Sequence, residues 1–316
     1  MPIRLLRYSE LDLAAWDACV NSARQVVPYA ASWWLRATAG RWDALVEVEE
    51  TTGRYLAVWP LPVKRRPWGR ELHQPPFTQQ LGVLSGVDAG LAAPENWPLS
   101  TLPARYTRGY LQLNDENHLP ATVPSPLAVQ QRQTYLLPLQ QPYAVIRAGY
   151  CSDYRRRLRL QAAAELPPLV AETQDIEPLL TLFQHTQGPA AGLQARHYAV
   201  LRRLVQALAA RRLLEIRVAR HPETGELLAG ALFVLYRTRL VYLFAAASVQ
   251  GKKAAAPLLL VDAAIRAHAG TPGLVLDFEG GMIPSIARFF ANFGAAPVPY
   301  AALSFTQRPW YLKWMR

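Results

Sequence analysis

Apolar residues alternate along some stretches and recur at helical spacing along others, and these two periods divide the chain into strands and helices. In the first half, IRLLRYS reads as a strand, Asp12 to Ser22 as a helix, and ASWWLRATAG as a second short helix closed by Gly40. WDALVEVEE and RYLAVWPLPVKRR flank Thr51-Thr52-Gly53, which is a hairpin signal. The segment 68–103 is irregular and rich in Pro and aromatics, and ARYTRGYLQLN is a further strand. From Asn114 to Pro142 five prolines interrupt everything except a strand around QRQTYLLPL, so a domain break is expected at 145/146.

The second half predicts a helix, YCSDYRRRLRLQAAAEL, with Ser152 as N-cap and Pro167-Pro168 as its stop. A strand LVAETQ, helices over 176–187 and HYAVLRRLVQALAARR, and strands LLEIRVARH, ELLAGALFVLYR and RLVYLFAAAS follow. The chain then gives a turn Val249-Gln250-Gly251-Lys252-Lys253, a helix AAAPLLLVDAAIRAHA, a strand GLVLDFEG and a helix IPSIARFFANFG. This is an α/β order, a mixed sheet covered by helices. The first half repeats a rougher version of it, which points to an internal duplication with domains over 1–145 and 146–316.

Composition narrows the class. The 51% apolar content describes a globular protein with a substantial core, and no apolar run is long enough to span a bilayer. Arg4, Arg7, Glu10 and Asp12 break the opening segment, so no signal peptide is read there and a cytoplasmic location is expected. Cys19 and Cys151 supply neither a disulfide framework nor a metal set, and no His-Glu-x-x-His or His-rich cluster occurs, so no metal is expected. The net charge of +11 is unevenly placed. Residues 1–145 hold 13 basic and 12 acidic side chains, whereas 146–316 hold 21 and 11. The excess marks the second half as the part that meets an anion such as coenzyme A, tRNA or a lipid-linked pyrophosphate.

The candidate chemistry sits between Leu240 and Tyr300. Gly251, Lys252 and Lys253 stand where a strand hands over to a helix N-terminus, with Gln250 before them and Ala254 after. Exposed N–H groups and the helix dipole favour an anion at such a place. Asp277 and Glu279 alternate along the neighbouring strand and so are expected on one face, as base or as anchor for an amine. The alternative for the pair is a salt link, with Arg288 as partner. Tyr300 is placed to protonate a leaving thiol or hydroxyl, or else to pack. Arg155, Arg156, Arg157 and Arg159 form the densest basic run, either a solvated face or a contact for RNA or pyrophosphate. An anion site beside carboxylates suggests transfer of a group from a phosphate-bearing donor to an amine.

Several motifs in this order resemble the FemAB-like branch of the Gcn5-related N-acyltransferase (GNAT) superfamily in its tandem-domain form. They are Thr78-Gln79-Gln80-Leu81-Gly82, the run Tyr154 to Arg159, Leu276-Asp277-Phe278-Glu279-Gly280, and Ala287-Arg288-Phe289-Phe290 with Asn292-Phe293-Gly294. The resemblance implies two tandem GNAT-like domains, with an acyl or aminoacyl group passed from acyl-CoA or aminoacyl-tRNA to an amine of a small molecule or peptide. It also implies direct attack without an enzyme nucleophile. The superfamily's CoA loop reads Arg/Gln-x-x-Gly-x-Gly/Ala. Here Ser248 and Lys253 stand at its ends and Gly251 alone fits. That departure favours a second reading, a GNAT-fold scaffold without catalysis, and a third reading is an RNA-binding protein without transfer. Oligomeric state is not readable.

Overall fold

The computed structural model describes residues 3–86 and 97–307. The chain forms two compact units, one from residues 1–132 with 299–316 and one from residues 133–298.

In the first unit, β1 (Ile3–Leu6) leads to α1 (Leu13–Ser22), whose N-cap Asp12 accepts from the N–H groups of Ala14 and Ala15. Then come α2 (Ser32–Thr38), β2 (Trp42–Val48), β3 (Tyr55–Arg66), β4 (Gly69–Leu72), β5 (Leu84–Ser85), α3 (Thr101–Arg105) and β6 (Arg108–Gln112). The segment expected to be irregular therefore holds β4, β5 and the start of α3, and its residues 87–96 lie outside the described residues. β2 along its whole length and β3 from Tyr55 to Pro62 are buried on both faces rather than on one, whereas the end of β3, Lys64–Arg66, is exposed. The Trp59 indole joins a core with Leu45, Leu61, Leu111 and Phe305, while the buried Trp42 packs against Tyr8 and Trp16.

The second unit opens in β7 (Ala128–Pro138) and continues through α4 (Tyr143–Ala148), α5 (Ser152–Ala162), β8 (Leu169–Thr173), α6 (Glu177–Thr186), α7 (Gly188–Ala191) and α8 (Ala195–Ala209). The meander β9 (Leu214–Arg220), β10 (Leu227–Tyr236) and β11 (Arg239–Ala247) follows as expected. The last elements are α9 (Val249–Lys253), α10 (Ala256–His268), β12 (Val275–Asp277), α11 (Pro284–Ala291) and β13 (Ala296–Thr306). Cys151, not Ser152, caps α5: the helix begins at Ser152, and the Cys151 thiol accepts from the Tyr154 N–H at 3.4 Å. Cys19 is a buried core residue whose thiol burial pushes up to about 12. Phe290 and Phe293 enter the core as their helical spacing predicts, and Gly294 ends that segment at φ +81°, where a side chain would be strained.

The two units repeat one sheet pattern. In the second, the order β8-β9-β10-β11-β12-β7 runs through antiparallel pairings except for the parallel pair β11–β12. In the first, β1-β2-β3-β4-β6-β13 does the same, with β4–β6 as the parallel pair. The duplication is real at the level of fold, but the closing strands are exchanged. β7, next in the chain after the first repeat, pairs with β12 of the second. β13, the end of the second repeat, pairs with β6 of the first. That exchange is why the compact units divide at 132/133 and 298/299 rather than at 145/146. Among the described residues, no helix is long and apolar enough to cross a membrane.

Candidate functional site

β11 and β12 run parallel and are paired only through Arg239–Val275, Leu240–Leu276 and Val241–Asp277. β11 then continues to Ala247, while β12 stops and the chain turns toward β7, with the Phe278 N–H donating to the Tyr135 carbonyl. The two strands therefore part. At the parting β11 also breaks register with β10, where Phe244 faces Leu232 and Tyr242 faces Phe233, so Leu243 is the extra residue of a bulge. Parallel strands that part leave main-chain groups of β11 without a ladder partner on that side, and such groups can meet an extended ligand or a developing oxyanion.

Aromatic rings line the parting. Tyr242 is half-buried and meets Phe278 and Phe290 edge-on, with centroids 6.1 and 6.2 Å apart. Phe278 stacks on Phe290 at 4.6 Å. Burial raises the Tyr242 phenol well above its usual value, so it stays neutral and keeps its proton. Sequence reasoning missed Tyr242, because nothing in a run of alternating apolar residues says where the parallel pairing stops.

Asp277 and Glu279 do not share a strand face. β12 ends at Asp277, and Glu279 follows in a bend at φ +49°. Asp277 is fully buried. One of its oxygens accepts from Thr134 Oγ1 at 2.7 Å and from the Glu279 N–H at 3.0 Å, and the other pairs with Arg239 at 3.1 Å. The ion partner is thus Arg239, directly reachable across the parallel pair, and not Arg288. A carboxylate with three partners in the interior is a fixing point. It locks β12 to β11 and β7 and sets the turn that carries the half-buried Glu279.

The stretch 250–254 is not an open turn. Val249 to Lys253 form the single-turn helix α9, capped by Ser248, whose hydroxyl accepts from the Gly251 N–H at 2.9 Å. Gly251 is buried against β10, where an added Cβ would lie 2.0 Å from the Leu228 carbonyl oxygen. That oxygen also accepts from the Ser248 N–H at 2.9 Å. The glycine thus permits close helix–strand approach, and its N–H is already bonded. Ala254 and Ala255 break the helix, Ala255 at φ +57°, and α10 starts afresh at Ala256 with Pro257 in its first turn. Gln250, Lys252 and Lys253 are exposed. The Arg157 guanidinium of α5 donates to the Lys252 carbonyl at 3.5 Å, so the structure brings one arginine of the basic run to the main chain of α9 beside the lysine pair. Arg156 is engaged by Asp153, while Arg155 and Arg159 line a separate cleft of about 800 Å³ with Arg147 and Tyr143.

Tyr300 falls in β13, within the first unit. It is buried, its hydroxyl donating to Gln112 Oε1 at 2.9 Å and accepting from Arg132 Nε at 3.4 Å. Gln80 is also buried in the first unit.

Comparison with known proteins fits this geometry. The family model described as an acetyltransferase (GNAT) domain matches residues 150–282, which contain β11, α9, α10 and β12. No curated protein matches the chain in sequence. Among solved structures, FemX is similar over 100% of both chains, at 13% identity and a TM-score of 0.64. A tandem GNAT protein from the clavulanic acid biosynthesis pathway, solved without AcCoA, is similar over 98% of this chain and 99% of its own, at 13% identity and a TM-score of 0.53. The C-terminal domain of a putative lysylphosphatidylglycerol synthetase from Agrobacterium fabrum covers 93% of this chain and 91% of its own, at 12% identity and a TM-score of 0.53.

Proposed function

We propose that this chain, a FemAB-like protein with two tandem GNAT-fold units, is an N-acyltransferase that moves an acyl or aminoacyl group to an amine. The donor in this reading is acyl-CoA or aminoacyl-tRNA, and the acceptor is an amine on a small molecule or peptide. The observation that carries it is the parting of β11 and β12 beside a bulge, inside the GNAT-matched unit and with a cationic cluster at the end of β11.

In this mechanism Lys252, Lys253 and Arg157 hold the donor's phosphates through their side chains. The acyl carbonyl lies along the free edge of β11, whose N–H groups stabilise the oxyanion. The acceptor amine attacks the carbonyl carbon, a C–N bond forms, and the C–S or C–O bond to the carrier breaks. Glu279 accepts the proton of the attacking nitrogen, and Tyr242 gives its proton to the departing sulfur or oxygen. Asp277 acts through the turn it holds. Tyr300 contributes to the order of β13.

Initial-rate measurements with labelled acyl-CoA or charged tRNA and varied amines test the reading. Intersecting lines are expected, as for a ternary complex, and Glu279→Gln lowers kcat roughly a hundredfold or more. A trapped covalent acyl-enzyme contradicts it. A second reading, a GNAT-fold binding module without catalysis, is favoured by the Gly251 contact, because that glycine offers no free N–H to a pyrophosphate. Thermal-shift titrations with acetyl-CoA, CoA and charged tRNA separate the two: stabilisation by a donor supports transfer, and none by any donor supports the module.

A further inference from the structure

The proposed reaction makes no use of a basic cleft in the first unit. Arg7, Arg41, Arg65, Arg66, Arg70 and Asp43 line it, in a volume of about 760 Å³. These residues come from the end of β1, the start of β2 and the β3–β4 hairpin, so the fold gathers cations that are far apart in sequence. The half of the chain that looks electrically balanced thus carries a concentrated positive site.

The charges are not equivalent. Asp43 is buried, and it accepts from the Tyr106 hydroxyl at 2.7 Å and pairs with Arg70. Arg70 also lies over the Tyr106 ring, 5.5 Å from its centroid. Arg66 pairs with Glu71 at 3.3 Å, and the Trp68 indole donates to that same carboxylate. Arg7, Arg41 and Arg65 are exposed and, among the described residues, make no ion pair. Arg65 stands directly opposite Arg70 in the β3–β4 register. Like charges facing one another across a strand pair oppose folding, and here Asp43 offsets the Arg70 side of the pair only. Asp43 is committed to Arg70 and Tyr106 and does not neutralise the remaining three.

We infer that this cleft binds a small molecule carrying two or more linked phosphates. The volume is that of a small-molecule site rather than a macromolecular face. Three unpaired guanidiniums match the charge of a diphosphate. Their planar donor forks suit phosphate oxygens held in pairs. This inference stands apart from the transfer reaction and survives if no acyl group is ever moved.

Calorimetric titration of the full chain with sodium pyrophosphate, at low and at raised salt, tests it. Pyrophosphate binds roughly tenfold or more tightly than orthophosphate, and the affinity falls as salt rises. Arg41→Glu and Arg65→Glu each weaken it roughly tenfold or more, and Arg155→Glu, in the other basic cleft, leaves it unchanged. Where a charge-reversed variant melts early, Arg41→Lys carries the test: it keeps the charge, loses the fork, and weakens binding several-fold. No heat with pyrophosphate overturns the inference. So does loss of binding in Arg155→Glu alone, or a site that takes a long RNA yet ignores pyrophosphate.

Discussion

Gly251→Ala separates two meanings of the glycine that opens the cationic stretch. In the structure its new Cβ would lie 2.0 Å from the Leu228 oxygen and 2.6 Å from the Leu228 carbonyl carbon. Both are backbone atoms of β10. Leu228 sits where the β9–β10 register shifts, and its carbonyl is already fixed by the Ser248 N–H. The strand cannot yield, so α9 must move outward by about an ångström or more to reach ordinary contact distance. Overpacking of this kind costs about 1–3 kcal/mol. Weakening the Ser248–Leu228 bond adds about 1 kcal/mol. Alanine returns about 1 kcal/mol of helix propensity. The net is a loss of about 1–3 kcal/mol, or a Tm lower by roughly 2–12 °C for a unit of this size. Scanning calorimetry of the full chain reads it in the transition of the second unit. An unchanged or higher Tm refutes the reasoning, since it would mean that the glycine has room around it and is there for a ligand.

Asp277→Asn leaves Arg239 buried without its counter-charge and is expected to destabilise by about 3–5 kcal/mol in urea unfolding, far beyond an exposed pair such as Arg202–Glu177. His73, held down to about 4 by burial and by the nearby Lys64 charge, stays neutral in the folded state at pH values where the unfolded chain is protonated. Its contribution is complete above pH ~6.5 and is lost as pH falls toward about 4, at most about 3 kcal/mol, and His73→Gln flattens that part of the stability profile. On the proposed mechanism, in which the pair binds the carrier rather than the reacting carbonyl, Lys252→Gln with Lys253→Gln raises KM for the phosphate-bearing donor about tenfold and leaves kcat near its original value.

The long periodic elements were legible in the sequence. The meander from Leu214 to Ala247, the helix over Ala195–Ala209 and the turn at Gly53 stand where alternation, spacing and glycine place them. α9 was not, because five residues are too few to show a helical period and a Gly-Lys-Lys run looks like a loop. Nor could local pattern reveal that Asp277 faces Arg239, since that contact depends on a parallel register between strands joined by a long crossover. The same limit hid Tyr242 at the end of that register. The arginine cleft escaped notice because a charge count over a whole half averages away what β1, β2 and a hairpin bring together.

The exchange of β7 and β13 makes the order of synthesis matter. When the ribosome has released the first repeat, β6 still has an open edge, and its partner lies nearly two hundred residues further along the message. The stretch 133–298 is contiguous and can complete its own sheet before that partner emerges. The N-terminal lobe is therefore the last to close, although it is made first. A gene cut at the apparent repeat boundary would yield two fragments, each carrying the other's missing strand.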